Sequence, residues 1–134
     1  MKSKIVPLVL TALAVSFLFA SGLAGISSYS AIAQSTTSGT TVSMAKGSQA
    51  PDNPEFYVPA EVTVKAGETI TWKNDDTAIH TATSGGNSTP DTKFDTSLVS
   101  PGQSSKPTAM PNEPGQYPYF CTLHPWMTGT VTVS

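Results

Sequence analysis

Gly115-Gln116-Tyr117-Pro118-Tyr119-Phe120-Cys121-Thr122-Leu123-His124-Pro125-Trp126-Met127-Thr128-Gly129-Thr130-Val131-Thr132-Val133 is the stretch that decides the fold. Pro114-Gly115 signals a turn before it. The aromatic run Gly115–Cys121 then reads as a strand. At the far end Val131 and Val133 alternate with Thr130 and Thr132, the period-two pattern of a strand with one face inward. The seven residues from Cys121 to Met127 form a tight loop between two strands, stiffened by Pro125.

The same texture extends upstream. Val62 and Val64 alternate with Thr63 and Lys65, and Ile70 and Trp72 with Thr71 and Lys73. Candidate strands are Thr41–Ala45, Glu61–Lys65, Thr69–Asn74, His80–Thr83, Gln103–Thr108, Gly115–Cys121 and Gly129–Val133. Turn signals separate them at Ala66-Gly67, Asn74-Asp75-Asp76, Gly85-Gly86-Asn87, Pro101-Gly102 and Pro114-Gly115. Outside the first residues no segment sustains helical spacing, and eleven prolines and ten glycines oppose long helices. Seven to eight short strands predict an all-β sandwich or barrel with Greek-key connections, without internal repeats.

The first residues read differently. Lys2 and Lys4 precede an apolar run from Ile5 to about Ala20, and small residues end in Ala31-Ile32-Ala33. This is the pattern of a secretory signal peptide over 1–33. The rival reading is an uncleaved anchor, since the apolar stretch extended to Ile26 counts 22 residues. Either puts the rest of the chain outside the cytoplasm, secreted or held at a membrane by its first residues. Residues 34–39, rich in Ser, Thr and Gly, read as a flexible linker, and 40–134 as one domain. Cleavage after Ala33 leaves five lysines, no arginine and nine acidic groups, a net charge of −4. Nothing basic remains to hold nucleic acid or an anionic membrane.

Cys121 is the one cysteine, so no internal disulfide can form. Alone, it could pair between chains, lie buried and inert, or bind a metal. Its neighbours decide. Cys121, His124 and Met127 give a thiolate, an imidazole and a thioether in the spacing C-x2-H-x2-M, a set that suits copper better than a hard cation. The chain has two histidines, and the second, His80, follows the polar turn Asn74-Asp75-Asp76-Thr77. Loops cluster at the ends of a sandwich, so the segment ending at His80 can meet the loop starting at Cys121. Two imidazoles, one thiolate and a weak axial thioether make the ligand set of a blue-copper electron-transfer site. Each residue alone is commonplace. A single histidine is more often a surface or core residue, and a single methionine more often core filler. The case rests on their coincidence.

From about Thr40 to Ser134 the chain resembles the small cupredoxins of the plastocyanin and amicyanin group. The resemblance runs through Thr69-Ile70-Thr71-Trp72-Lys73-Asn74-Asp75-Asp76 to His80, then Phe94-Asp95 and Ser100-Pro101-Gly102-Gln103, and closes with Pro114 through Met127, Gly129 and Val131. The two-residue gap between His124 and Met127 is similar to amicyanin. The resemblance implies a Greek-key β-sandwich holding one type 1 copper, Cu(I)/Cu(II), on His80, Cys121, His124 and Met127. It also implies one-electron transfer, with His124 as the electron port inside an apolar patch to which Pro125 and Trp126 contribute. One position departs: Thr81 stands where many members carry Asn, and its hydroxyl is expected to bond the loop backbone or Thr122.

The expected function is therefore an electron carrier between redox partners outside the cytoplasm. It is expected to act as a monomer that docks transiently near His124 and Trp126. A copper storage or delivery protein is the alternative. Methionine-rich and histidine-rich tracts are absent, which favours the carrier. An enzyme would need a substrate-binding copper with further histidines, and both are already used. Met44, Met110 and Trp72 read as packing residues. Asn87-Ser88-Thr89 matches a glycosylation acceptor, a pattern frequent by chance.

Overall fold

The computed structural model describes residues 39–134. The signal peptide or anchor expected at 1–33 and residues 34–38 of the expected linker lie outside the described residues.

Nine strands form two sheets. The first sheet contains β1 (Thr40–Met44), β2 (Tyr57–Val58), β4 (Thr69–Asn74) and β7 (Thr108–Ala109), in the order β2-β1-β4-β7. The second contains β3 (Glu61–Val64), β5 (Thr83–Gly86), β6 (Thr89–Asp95), β8 (Gly115–Phe120) and β9 (Thr128–Val133), in the order β3-β9-β8-β5-β6. The pairs β1·β4 and β3·β9 are parallel and the rest antiparallel. The architecture is a two-sheet Greek-key sandwich with unclosed sheets, as the sequence leads one to expect, with nine strands in place of seven or eight.

Alternation builds the core. Ile70, Trp72 and Asn74 of β4 point inward and are buried, whereas Lys73 is exposed. Val131 and Val133 of β9, and Val42 and Met44 of β1, do the same from their strands. Trp72 stacks on Phe94 at 5.7 Å and meets Tyr119 edge-on at 5.6 Å, which ties the first sheet to the second. Fully burying an aliphatic or Phe-sized side chain contributes about 1.5–3 kcal/mol, so this interface is a substantial part of what holds the two sheets together. Gly129 faces Tyr119 across the β8·β9 ladder, where a Cβ would lie 2.4 Å from the tyrosine ring. The bare glycine lets that ring close over the sheet.

Three expectations shift. Residues 80–82 do not start a strand. The Thr81 amide is given to Cys121 Sγ and the Ala82 amide to Thr96 Oγ1, so neither is free for a ladder, and β5 begins only at Thr83. His80 makes an isolated bridge with Val99 instead. The strand expected at Gln103–Thr108 shrinks to β7. There the Ser105 side chain takes the amide of Trp72, and Pro107 has no amide to give. β6 was hidden by its polarity and by Pro90. It is the outer strand of its sheet, where proline is tolerated, and only Phe94 is buried. Its hairpin turns at Asn87-Ser88, both with positive φ (49° and 61°), so Gly85 and Gly86 belong to the strand.

Candidate metal centre

Two segments meet at one end of the sandwich. The first runs from the end of β4 to His80, and Asn74 shapes it. Its Nδ2 donates to Ala78 O (2.7 Å) and Val99 O (2.8 Å), and its Oδ1 accepts from the Asp76 amide (2.9 Å). The His80 backbone is fixed on both sides, donating to Val99 O (3.2 Å) and accepting from Val99 N (2.8 Å).

The second segment is the loop Cys121–Met127 between β8 and β9. His124 N donates to Cys121 O (3.2 Å), Met127 N donates to His124 O (2.9 Å), and Cys121 N donates to Met127 O (3.1 Å). Each two-residue gap in C-x2-H-x2-M is therefore one β-turn, and the two turns share His124. Pro125 occupies the second position of its turn, where its fixed φ is favoured. The spacing brings the first and last residues of the loop back together.

The ligand atoms of His80, Cys121 and His124 lie within 4.8 Å of one another. Both imidazoles turn Nδ1 to the sulfur, at 3.7 Å for His80 and 3.6 Å for His124. Metal–nitrogen bonds of about 2.0 Å and metal–thiolate bonds of about 2.3 Å in a trigonal plane put sulfur and nitrogen about 3.7 Å apart. The three residues present thus fit a single type 1 copper ion in donor type and in sulfur–nitrogen spacing. Cys121 and His80 are fully buried, while His124 is half-buried. Met127 is fully buried in the same core cluster as Cys121.

The electrostatics favour the thiolate. Burial pushes the Cys121 thiol up, but bonds from the His80 ring, the Thr81 amide (3.3 Å) and the His124 ring outweigh it and lower the pKa to about 6. Burial opposes charge on His80 too, yet its bonds to Cys121 and Asp76 raise its pKa above the ordinary histidine value. Part of each shift is the mutual interaction of the His80 ring with the Cys121 sulfur.

Thr81 does what its position demands. Its hydroxyl accepts from the Thr122 amide (3.0 Å) and shares a hydrogen bond with Thr122 Oγ1 (3.3 Å), bracing the residue after the cysteine. Tyr57 donates to Thr81 O at 2.5 Å.

Two supporting elements escape a reading of the sequence. The first is Asp76, whose Oδ2 lies 2.8 Å from His80 Nε2, both side chains having at most 1% exposure. Burial raises the Asp76 pKa, but bonds from the Gly47 amide, the His80 ring and the Thr77 and Gln49 amides prevail and hold it to about 2. The sequence shows two adjacent aspartates in a polar turn and nothing to tell them apart. Asp75 is the exposed one, bonded to Ser43 and Lys73. The second is the turn after β1. It gives Ser48 O to Trp126 Nε1 (3.2 Å), and the Trp126 ring meets His124 at 5.4 Å, nearly edge-on. Trp126 and Leu123 leave an apolar surface beside His124.

The cupredoxin-like domain family model matches residues 9–133. Amicyanin of Paracoccus versutus is 38% identical over 77 residues, 58% of this chain and 57% of that protein. The chain thus spans a little over half the length of this curated relative. Among solved structures, a purple cupredoxin from Nitrosopumilus maritimus superposes with a TM-score of 0.64 at 30% identity, covering 71% of this chain and 99% of that one. The crystal structure of Paracoccus versutus amicyanin gives a TM-score of 0.52 at 31% identity, over 72% of this chain and 82% of that one.

Proposed function

Because this chain belongs to the cupredoxin-like domain family, we propose that it is a type 1 copper protein that carries one electron at a time between redox partners outside the cytoplasm. The observation that carries this reading is the convergence of His80 Nδ1, His124 Nδ1 and Cys121 Sγ, two nitrogens and one sulfur within 4.8 Å of one another.

Copper, when bound, supplies the one-electron Cu(I)/Cu(II) couple. The chain's own residues supply rigidity, which matters because transfer is fast only when little moves between the two states. His80 is held at its backbone and at its far ring nitrogen, and the Cys121 sulfur accepts the Thr81 amide. Met127 would be the fourth residue to hold the ion, through its thioether sulfur. Its burial and its β-turn from His124 support that role, and a weakly bound thioether there would tune the couple.

His124 is the port. It is half-buried, and the exposed side chains of its chain neighbour Leu123 (51% exposed) and of Trp126 (38% exposed), whose ring meets it, offer an apolar rim for a transient redox partner. The protein works as a monomer and binds no nucleic acid. With both histidines committed to one site, no second copper is left to bind a substrate, so the protein is a carrier and not an enzyme. The leader at 1–33 exports the domain or tethers it at a membrane.

The test is the visible and EPR spectrum of the domain after one equivalent of Cu(II). An intense blue thiolate-to-copper band with narrow copper hyperfine splitting is expected. A pale, ordinary Cu(II) spectrum would overturn the type 1 assignment and leave storage or delivery as the better account. Met127→Leu is expected to retain copper with a shifted reduction potential; complete loss of copper would remove Met127 from an axial role.

A further inference from the structure

Each imidazole of the site has a second nitrogen on its far side, and the surroundings of the two differ. His80 Nε2 faces a buried carboxylate, Asp76, at 2.8 Å. Among the described residues, no hydrogen bond reaches the corresponding nitrogen of His124.

We propose that Asp76 is a positioning residue of the metal centre: clamped by the turn after β1, its carboxylate holds His80 with the Nδ1 lone pair toward Cys121 and strengthens that nitrogen as a donor. This rests on the copper reading above.

The clamp is specific. Asp76 Oδ1 accepts from Gly47 N (2.8 Å) and Thr77 N (2.7 Å), and Oδ2 from Gln49 N (3.1 Å) and Ser48 Oγ (3.3 Å). Donors from a segment some 28 residues earlier thus fix the carboxylate, and the carboxylate fixes the ring. Ser48 Oγ also lies 3.4 Å from His80 Nε2. The Asp76 amide is pinned by Asn74 Oδ1, so the backbone cannot carry the side chain away.

The chemical consequence follows from hydrogen-bond polarity. A carboxylate accepts only, so the nitrogen facing it must carry the proton. Nε2–H then points to Asp76, and Nδ1 presents its lone pair to the metal plane. An anionic acceptor also draws the N–H proton, which makes the imidazole more basic and favours the higher oxidation state of a bound metal. The carboxylate adds a buried negative charge in contact with a ligand, which acts in the same direction. A backbone carbonyl in that place would orient the ring but bring no net charge.

Asp76→Asn keeps the shape and removes the charge. It is expected to raise the reduction potential and weaken Cu(II) binding about 10–100-fold, the usual effect of removing such a partner. Asp75→Asn, one residue away and bonded only at the surface, is expected to change neither. A folded Asp76→Asn variant with the wild-type potential and affinity would overturn the proposal. If wild type itself gives no blue Cu(II) spectrum, the copper reading has failed instead. Should Asp76→Asn not fold, wild type loaded with Cu(I) gives the answer by nitrogen-edited NMR. A downfield His80 Nε2–H that exchanges slowly with solvent is expected. Exchange as fast as that of the His124 ring proton would overturn the proposal.

Discussion

The two histidines belong to differently built halves of one site. His80 sits on a segment fastened by Asn74, bridged to Val99 and backed by a carboxylate, with no surface exposed. His124 sits at the junction of two β-turns, half-buried, with apolar side chains on its outer side. The first half is buried and fastened, and the second is the half that the proposed carrier role would present to partners. Separating the two onto different segments would let the exposed half vary in contact chemistry while the buried half keeps its ligand in place.

The contrast can be broken most severely at Asn74. Asn74→Ala strands the Asp76 amide and the carbonyl of Ala78, both dependent on its side chain. We expect a loss of about 3 kcal/mol in urea unfolding of the metal-free protein. A loss well under about 1 kcal/mol would mean that the buried half is not fastened there.

Acid sharpens the same contrast. The folded Asp76 pKa of about 2 lies below the ordinary value of 3.8. Its stabilising contribution is therefore fully present above about pH 4 and is lost as the pH falls from there through about 2. The size is about 2 kcal/mol. Urea unfolding of the metal-free protein at about pH 6 and about pH 2.5 measures it against Asp76→Asn, which lacks this part of the loss. Equal pH dependence in the two proteins would deny the carboxylate its role in the buried half.

The smallest effect is expected in the exposed half. Trp126→Ala removes one hydrogen bond to Ser48 O and an edge contact with His124. Stability should fall by no more than about 1 kcal/mol, read by the same unfolding curve. Electron self-exchange should change while the absorption spectrum does not. A loss above about 3 kcal/mol would show the ligand loop to be as fastened as the His80 segment.

What could be read from sequence follows the same division. Strands whose apolar residues alternate, such as Thr69–Asn74 and Gly129–Val133, announced themselves, because burial of one face writes a period of two. The ligand loop was legible because its chemistry is concentrated in seven contiguous residues. Thr81 bonds the Thr122 amide and hydroxyl as its hydroxyl chemistry suggested. β6 was not legible, since an outer strand with one buried residue carries no alternation. Nor was the Asp76 clamp. Its donors are main-chain amides, which look alike in every residue, and they reach it from a turn far away in the chain.

The complete burial of Cys121 has a consequence for the protein before any metal arrives. A thiol near its ionisation point at neutral pH is ordinarily quick to react with peroxide or with another thiol. Here the sulfur has no surface to offer, so an outside oxidant can reach it only during an opening of the sandwich. Chemical ageing of the metal-free protein in air should then keep time with unfolding, and whatever slows the opening of the fold also lengthens the shelf life of its most reactive atom.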